Sequence, residues 1–198
     1  MPPTPPPPAW TQDDRHPPRH TDHWLSIVDG APPTHSAAFD PAHDLRAFRS
    51  ALGQFATGVT LITASGPQGP AGITANSFAS VSLDPPLVLW SPAKASRRFA
   101  LFAGAQNFAI HVLAADQRAL ADAFTRSAHA FDDLDWAPDA DGVPLIAGTA
   151  ARFRCTTHAV HDAGDHAIIL GRVVSALRSA RAPLVFHAGR YGNFAGQD

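Results

Sequence analysis

The chain has 198 residues and a formal net charge of −2 at pH 7, and 45% of its residues are hydrophobic. This length allows one domain with a sizeable core, and the balanced charge gives no sign of electrostatic nucleic-acid binding. A single cysteine excludes an internal disulfide and is typical of a reducing compartment, so we expect a cytoplasmic protein. No apolar run is long enough to predict a membrane-spanning helix, and the N-terminus lacks the apolar stretch of a secretory signal.

The first 38 residues differ in composition from the rest, because prolines dominate positions 2–8 and recur in pairs at 17–18 and 32–33. Proline removes backbone donors and favours extended conformations, so we expect a disordered extension over 1–38 and a folded domain over 39–198. Residues 24–28 are apolar enough to dock on the domain or on a partner subunit. No cysteine or carboxylate completes a rigid metal-binding set with His16, His20 and His23, so we expect no metal site.

Ordered structure is predicted to begin at Asp40-Pro41, because aspartate caps helices and proline suits the first helical position. Apolar residues then recur at helical spacing, at Leu45, Phe48, Leu52 and Phe55. Two more helices are predicted over residues 96–102 and 116–124. Strands are predicted over residues 59–64, 71–75, 87–90, 108–113, 151–160, 167–175 and 184–187. Many short strands with few helices favour a closed or nearly closed antiparallel barrel, and no glycine-rich dinucleotide fingerprint follows a strand.

A cluster of neutral polar side chains lies between two of the predicted strands. Five hydroxyl or amide groups fall within nine residues: Thr74, Asn76, Ser77, Ser80 and Ser82. Such a density of neutral hydrogen-bonding groups suits an uncharged heterocycle with donors and acceptors around its edge, such as a flavin ring. A polar turn with no ligand explains the same composition equally well, because serine and asparagine are common in loops.

Three cations follow this cluster at Lys94, Arg97 and Arg98, and Lys94 is the only lysine in a chain without glutamate. They flank Ser96, which is expected to cap a short helix. A helix N-terminus with cations nearby is typical of an anion site, most often for phosphate. A solvated cationic turn is the alternative.

Two further motifs carry residues that suit a binding site. The Gly164-Asp165-His166 motif places a histidine at the mouth of a predicted strand, where it either contacts a substrate or has a purely structural role. Near the C-terminus, the 189–192 motif surrounds Tyr191 with glycines, so it either folds over a ligand or forms a terminal turn.

These motifs occur in the order seen in the flavin reductase-like family, which the chain resembles. This family contains the short-chain NAD(P)H:flavin oxidoreductases that serve as reductase components of two-component flavin monooxygenases. The matching segments are residues 48–60, 74–78, 84–86, 94–97, 107–113, 164–166 and 184–192, within about residues 41–194. Each segment is weakly specific, but seven in the same order are a specific signal.

The resemblance implies a mainly β protein, an FMN-binding split β-barrel of Greek-key-like antiparallel strands with a few short helices. It implies a homodimer with FMN or FAD near the subunit interface. The residues it implies for the flavin ring are Thr74, Ala75, Asn76 and Ser77, with Ser80 close behind, and Thr57 is a further candidate for cofactor binding. Those implied for the flavin phosphate are Lys94, Ser96 and Arg97, and those implied for the nicotinamide donor are His166 and Tyr191. The chain departs from the family at Ala95, where serine is frequent, and at Arg98, where threonine is frequent.

The function implied is an NAD(P)H-dependent flavin reductase that transfers hydride from NADH or NADPH to FMN or FAD. It supplies reduced flavin to a separate monooxygenase partner, without nucleic acid or membrane. His166 is the candidate catalytic residue, which we expect to orient the nicotinamide rather than to transfer a proton. Two alternatives stay open: a flavoprotein with tightly bound flavin that reduces another acceptor, and a non-catalytic flavin-binding or docking subunit.

Overall fold

A computed structural model describes residues 38–196 of the chain. The helices are α1 (Leu45–Leu52), α2 (Phe99–Gly104) and α3 (Arg118–Arg126). The first six strands are β1 (Thr57–Gly58), β2 (Thr60–Gly66), β3 (Gly69–Ala75), β4 (Ala79–Leu83), β5 (Pro86–Trp90) and β6 (Asn107–Val112). The remaining strands are β7 (Trp136–Pro138), β8 (Pro144–Ile146), β9 (Ala151–Ala163), β10 (His166–Arg178), β11 (Leu184–His187) and β12 (Arg190–Asn193).

The strands form a seven-stranded sheet in the order β3-β2-β6-β9-β10-β5-β4, a three-stranded sheet β1-β11-β12, and the hairpin β7-β8. All named pairings are antiparallel. Three backbone bonds join the two larger sheets in a ring: Val59 N–H to Leu184 O, Leu184 N–H to Leu113 O, and Leu113 N–H to Val59 O. The sheets therefore continue into one another, as a barrel requires.

Two clusters of buried side chains fill the interior. One lies under α3 and includes Leu120 and Phe124 of that helix together with Leu184 and Phe186 of β11. The other centres on Trp90, whose ring centre lies 5.4 Å from Phe102 of α2 and 6.4 Å from the ring of a β6 phenylalanine. Both helices thus pack their apolar faces on the strands that carry the candidate site.

Helix α1 begins later than predicted and packs differently from the other helices. Its N-cap is Asp44, whose carboxylate accepts a bond from Ala47 N–H at 2.8 Å, whereas Asp40 closes a turn just before it. The apolar residues of its predicted face remain exposed, with fractional exposures of 64% at Leu45 and 78% at Phe55 just past its end. The amphipathic pattern is present, but within residues 38–196 this face is not covered.

The predicted mainly β, antiparallel fold is confirmed, and the strands at the centre of the large sheet lie where the pattern placed them. The pattern missed β1, β4, the β7-β8 hairpin and β12. The helix predicted over 96–102 begins three residues later and ends two residues later, and the helix predicted over 116–124 is shifted two residues toward the C-terminus. The prediction that residues 24–28 dock on the domain lies outside the described residues. None of the helices within 38–196 is long and apolar enough to cross a membrane.

Candidate functional site

The neutral polar cluster spans the end of β3 and the start of β4, and we call residues 74–80 the ring segment. Thr74 Oγ1 donates to Ala121 O of α3 at 2.7 Å, so its hydroxyl fixes the end of β3 to the helix. Ser77 Oγ accepts from Ser91 N–H at 2.9 Å and donates to Ser91 O at 3.2 Å. These two hydroxyls therefore set the shape of the ring segment, and Ser80 is the exposed hydroxyl within it.

Among the candidate site residues, Thr57 carries an unusual polar atom. It lies on β1 opposite Phe186 of β11, three residues before Thr60, whose hydroxyl donates to Ala75 O at 2.7 Å. Its Oγ1 is buried and has no hydrogen-bond partner among the described residues. A buried hydroxyl without a partner costs free energy, so this atom fits a ligand that supplies a polar group.

The stretch after β5 runs along the turn between β9 and β10. Ala93 forms an isolated antiparallel bridge with His166, and Ala167 N–H donates to Pro92 O at 3.1 Å. Because Ser91 is bound to Ser77, the ring segment, the stretch after β5 and His166 form one continuous region. The structure thus brings together three motifs that the sequence separates by about ninety residues.

His166 begins β10 with its side chain largely withdrawn from solvent, at 12% exposure. Its Nδ1 lies 2.7 Å from the Asp165 carboxylate, which is 91% exposed. A carboxylate at one ring nitrogen fixes the orientation of an imidazole and directs the other nitrogen elsewhere. This arrangement suits a residue that positions a ligand.

The cations of the predicted anion site have different surroundings. Lys94 Nζ donates to Asp162 Oδ2 and to Gly164 O, both at 2.6 Å. Arg98 instead binds three carbonyl oxygens where α3 ends against β3: Gly72 O, Phe124 O and Thr125 O. Arg97 carries the exposed side chain of the three.

The predicted helix cap at Ser96 is wrong. The N-cap of α2 is Arg98, and Ser96 Oγ accepts a bond from Arg98 N–H at 3.2 Å. The segment from Lys94 to Arg98 forms turns, so a helix macrodipole does not support anion binding at Ser96. The argument for an anion rests on the cations alone.

Tyr191 lies on β12 and contacts the N-terminal half of α3. Its ring centre lies 5.3 Å from the Arg118 guanidinium carbon and 5.4 Å from the ring of Phe186. Burial, followed by the nearby Asp122 carboxylate, raises the pKa of Tyr191 to about 12, so its phenol stays protonated. Sequence reasoning missed Arg118 and Asp122, because only the fold brings α3 against β12.

Two surface cavities lie beside α3, with volumes of about 520 Å³ and 250 Å³. The larger is lined by Leu120, Ala123 and Leu134 among others, and the smaller by Arg181 and its neighbours. Neither is lined by a predicted site residue. The predicted site therefore lies outside both of these cavities.

Comparison with known proteins decides the family. The profile described as "Flavin reductase like domain" matches residues 52–195. The chain belongs to the flavin reductase-like family. This match includes the ring segment, the stretch after β5, the β9–β10 turn and Tyr191.

Individual relatives within the flavin reductase-like family agree with this assignment. FMN reductase (NADH) SmoA of Agrobacterium fabrum is 53% identical over 174 residues, covering 87% of this chain and 100% of SmoA. The flavin-dependent monooxygenase reductase subunit HsaB of Rhodococcus jostii is 40% identical over 84% of this chain and 85% of its own length. Two longer curated relatives are matched over only 50% and 49% of their length.

A solved structure supports the same fold. The NADH:FAD oxidoreductase SgcE6 of Streptomyces globisporus superposes with a TM-score of 0.77 at 40% identity, over 85% of this chain and 96% of SgcE6. The predicted family and split-barrel fold are confirmed. The predicted oxidoreductase class and the use of flavin with a nicotinamide donor are confirmed by the activities that name these relatives.

Proposed function

We propose that this protein is an NAD(P)H-dependent flavin reductase that transfers hydride from the nicotinamide to FMN or FAD and passes the reduced flavin to a separate monooxygenase. One observation carries the proposal: the Ser77–Ser91 bonds and the Ala93–His166 bridge place the ring segment and the histidine in one region. A flavin ring and a nicotinamide must stack closely for hydride transfer, so their binding residues must be neighbours.

The residues fit a flavin. The unpartnered Thr57 hydroxyl and the neutral groups of the ring segment match a polar, uncharged ring edge. We assign ring contacts to Thr57, Thr74, Ala75, Asn76, Ser77 and Ser80. Of the residues implied for the phosphate, Arg97 combines a cation with an exposed side chain, and Ser96 lies beside it.

Flavin and nicotinamide supply the redox chemistry when bound, since hydride passes directly between their rings. The protein's contribution is position: the ring segment holds one ring, and His166 orients the other. A direct transfer needs no side-chain nucleophile. Tyr191, which stays protonated beside Asp122, is the second residue that we assign to the nicotinamide.

We further propose that the protein acts as a homodimer in the cytoplasm. Val174 and Leu177 on β10 are 54% and 46% exposed, and the apolar face of α1 is exposed as well. Apolar residues concentrated on two elements are typical of a covered interface. The single thiol, Cys155, is buried, which suits a reducing compartment.

The test is a steady-state assay of the full chain. Mixing it with NADH or NADPH and free FMN or FAD should consume the nicotinamide in proportion to enzyme. Failure with every pairing would contradict the proposal. Retention of flavin through gel filtration would instead favour a tightly bound flavoprotein, and binding without turnover would favour the non-catalytic subunit.

A further inference from the structure

Lys94 makes three bonds to one structural element, the turn between β9 and β10. Its ammonium donates to Asp162 Oδ2 and Gly164 O at 2.6 Å each, and its backbone N–H donates to Asp165 O at 2.9 Å. Gly164 sits at a φ of +69°, a conformation that favours glycine, so the carbonyl that Lys94 binds belongs to a tight, specifically shaped turn. Both the side chain and the backbone of Lys94 thus hold this turn.

His166 is the next residue after the part of the turn that Lys94 holds. Its ring orientation depends on the Asp165 carboxylate at 2.7 Å, and the backbone of Asp165 is bound by Lys94 N–H. The Ala93–His166 bridge extends this pairing by one residue. A short, continuous set of contacts therefore links Lys94 to the imidazole of His166.

Charge argues against a phosphate at the Lys94 ammonium. Asp162 already neutralises this cation at 2.6 Å, and the exposed Asp165 carboxylate adds a second negative charge in the same turn. A neutral ion pair attracts a further anion weakly, and a phosphate placed against Lys94 would meet the Asp162 carboxylate.

We infer that Lys94 is a positioning residue, which holds the β9–β10 turn so that His166 meets the nicotinamide, and that it is not a ligand of the flavin phosphate. The inference rests on the proposed flavin reductase function. It replaces the role that the family resemblance implied for Lys94. Replacing Lys94 should therefore change the KM for the nicotinamide, and its effect on flavin binding should not depend on whether the flavin carries a phosphate.

Two flavins separate the roles, because riboflavin has the ring of FMN but no phosphate. In Lys94→Met, the KM for NADH should rise by roughly fivefold or more, and the binding constants for FMN and riboflavin should change by the same factor. Asp162→Asn should shift the KM for NADH in the same direction by less, since the Gly164 contact remains. His166→Ala should give the largest rise in the KM for NADH, because it removes the residue that orients the nicotinamide.

Arg181→Met is the matched control, because it removes a cation from another exposed ion pair, with Asp116 in the segment before α3. Its kinetic constants should equal those of the wild type. Thermal melting of each variant establishes that it is folded.

The opposite pattern would overturn the inference. If Lys94 binds the phosphate, Lys94→Met should raise the dissociation constant for FMN by about tenfold and leave the riboflavin dissociation constant and the KM for NADH unchanged. Asp162→Asn should then lower the dissociation constant for FMN. Unchanged constants in both variants would equally overturn it. A wild type that consumes no NADH would defeat the proposed function instead. In that case amide hydrogen exchange still tests whether Lys94 holds the turn. Lys94→Met must then speed exchange of the Ala167 amide more than Arg181→Met does.

Discussion

Gly72 lies at a close approach between β3 and the C-terminal end of α3. A Cβ at this position would sit 2.5 Å from the ring of Phe124, which is fully buried and packs edge-on against Phe131 at 4.9 Å. Gly72 N–H also donates to Ala128 O at 2.8 Å just past the helix. The ring cannot move aside without disturbing the cluster under α3, so the absence of a side chain at residue 72 sets the spacing of helix and strand.

Gly72→Ala should therefore lower the free energy of unfolding by about 1–3 kcal/mol, because the added methyl overpacks a fixed ring. Urea unfolding measures this directly. Gly104→Ala is the control, since a Cβ there meets no atom within 4 Å, and its stability should stay close to that of the wild type. Equal stability of Gly72→Ala and wild type would show that α3 moves freely relative to β3.

At the scale of elements, His111 joins three strands. Its Nδ1–H donates to Leu61 O of β2 at 3.0 Å, and its Nε2 accepts from Ile146 N–H of β8 at 3.1 Å. The Nε2 bond requires the neutral ring, since a protonated Nε2 cannot accept a hydrogen bond, and burial lowers the pKa of His111 to about 4. The histidine of β6 thus holds the small hairpin on the large sheet only while it is unprotonated.

The stability of the protein should consequently depend on mildly acid pH. An unfolded chain protonates this histidine near pH 6.5, whereas the folded protein resists until about pH 4. The contribution is present in full above pH 6.5 and is lost as the pH falls toward 4, at up to about 1.4 kcal/mol per pH unit. Urea unfolding at a series of pH values between 7 and 4.5 measures this slope.

His111→Gln provides the comparison, since an amide can replace both bonds but does not titrate. Its slope between pH 6.5 and 4.5 should be smaller than that of the wild type. The aspartates with lowered pKa, such as Asp139 beside Arg154, lose their contribution only at lower pH. Parallel slopes in the two proteins would contradict the assignment to His111.

The central strands could be predicted from the sequence because burial on one or both faces leaves a clear apolar pattern. Strand β4 could not, since Ala79, Ser80 and Val81 are all exposed and read as a loop. Strand β12 contains glycine and a charged residue, and it forms because β11 pairs with it. Edge strands of this kind depend on a neighbour rather than on their own composition.

The order of the motifs in the candidate site could be predicted from the sequence, but the contacts between them could not. Thr74, Lys94 and His166 could each be singled out by residue type and position. The carboxylate that pairs with Lys94 is 68 residues further along the chain, and no local pattern marks it. Only the β9-β10 hairpin, together with the bridge at Ala93, brings that pair together.

At the scale of the whole molecule, the exposed second half of β10 is the surface that we propose for the dimer contact. From Val174 to Arg178 the strand leaves the core, with Val174 and Leu177 exposed on it. Leu177→Glu should raise the dimer dissociation constant by about tenfold or more, because it buries an unpaired charge at an apolar contact. Analytical ultracentrifugation measures the mass, and Arg190→Glu on β12 controls for added negative charge. An unchanged dimer in Leu177→Glu would place the interface elsewhere.

Because Lys94 is the chain's single lysine, it is also the only side-chain amine in the protein. Reductive methylation with isotope-labelled formaldehyde would therefore tag one side chain and the N-terminal amine, giving two assignable resonances in an NMR spectrum. The side-chain resonance would report the protonation and surroundings of that amine as each flavin or nicotinamide is added. The amino-acid composition therefore supplies a spectroscopic probe at the proposed site without any engineering.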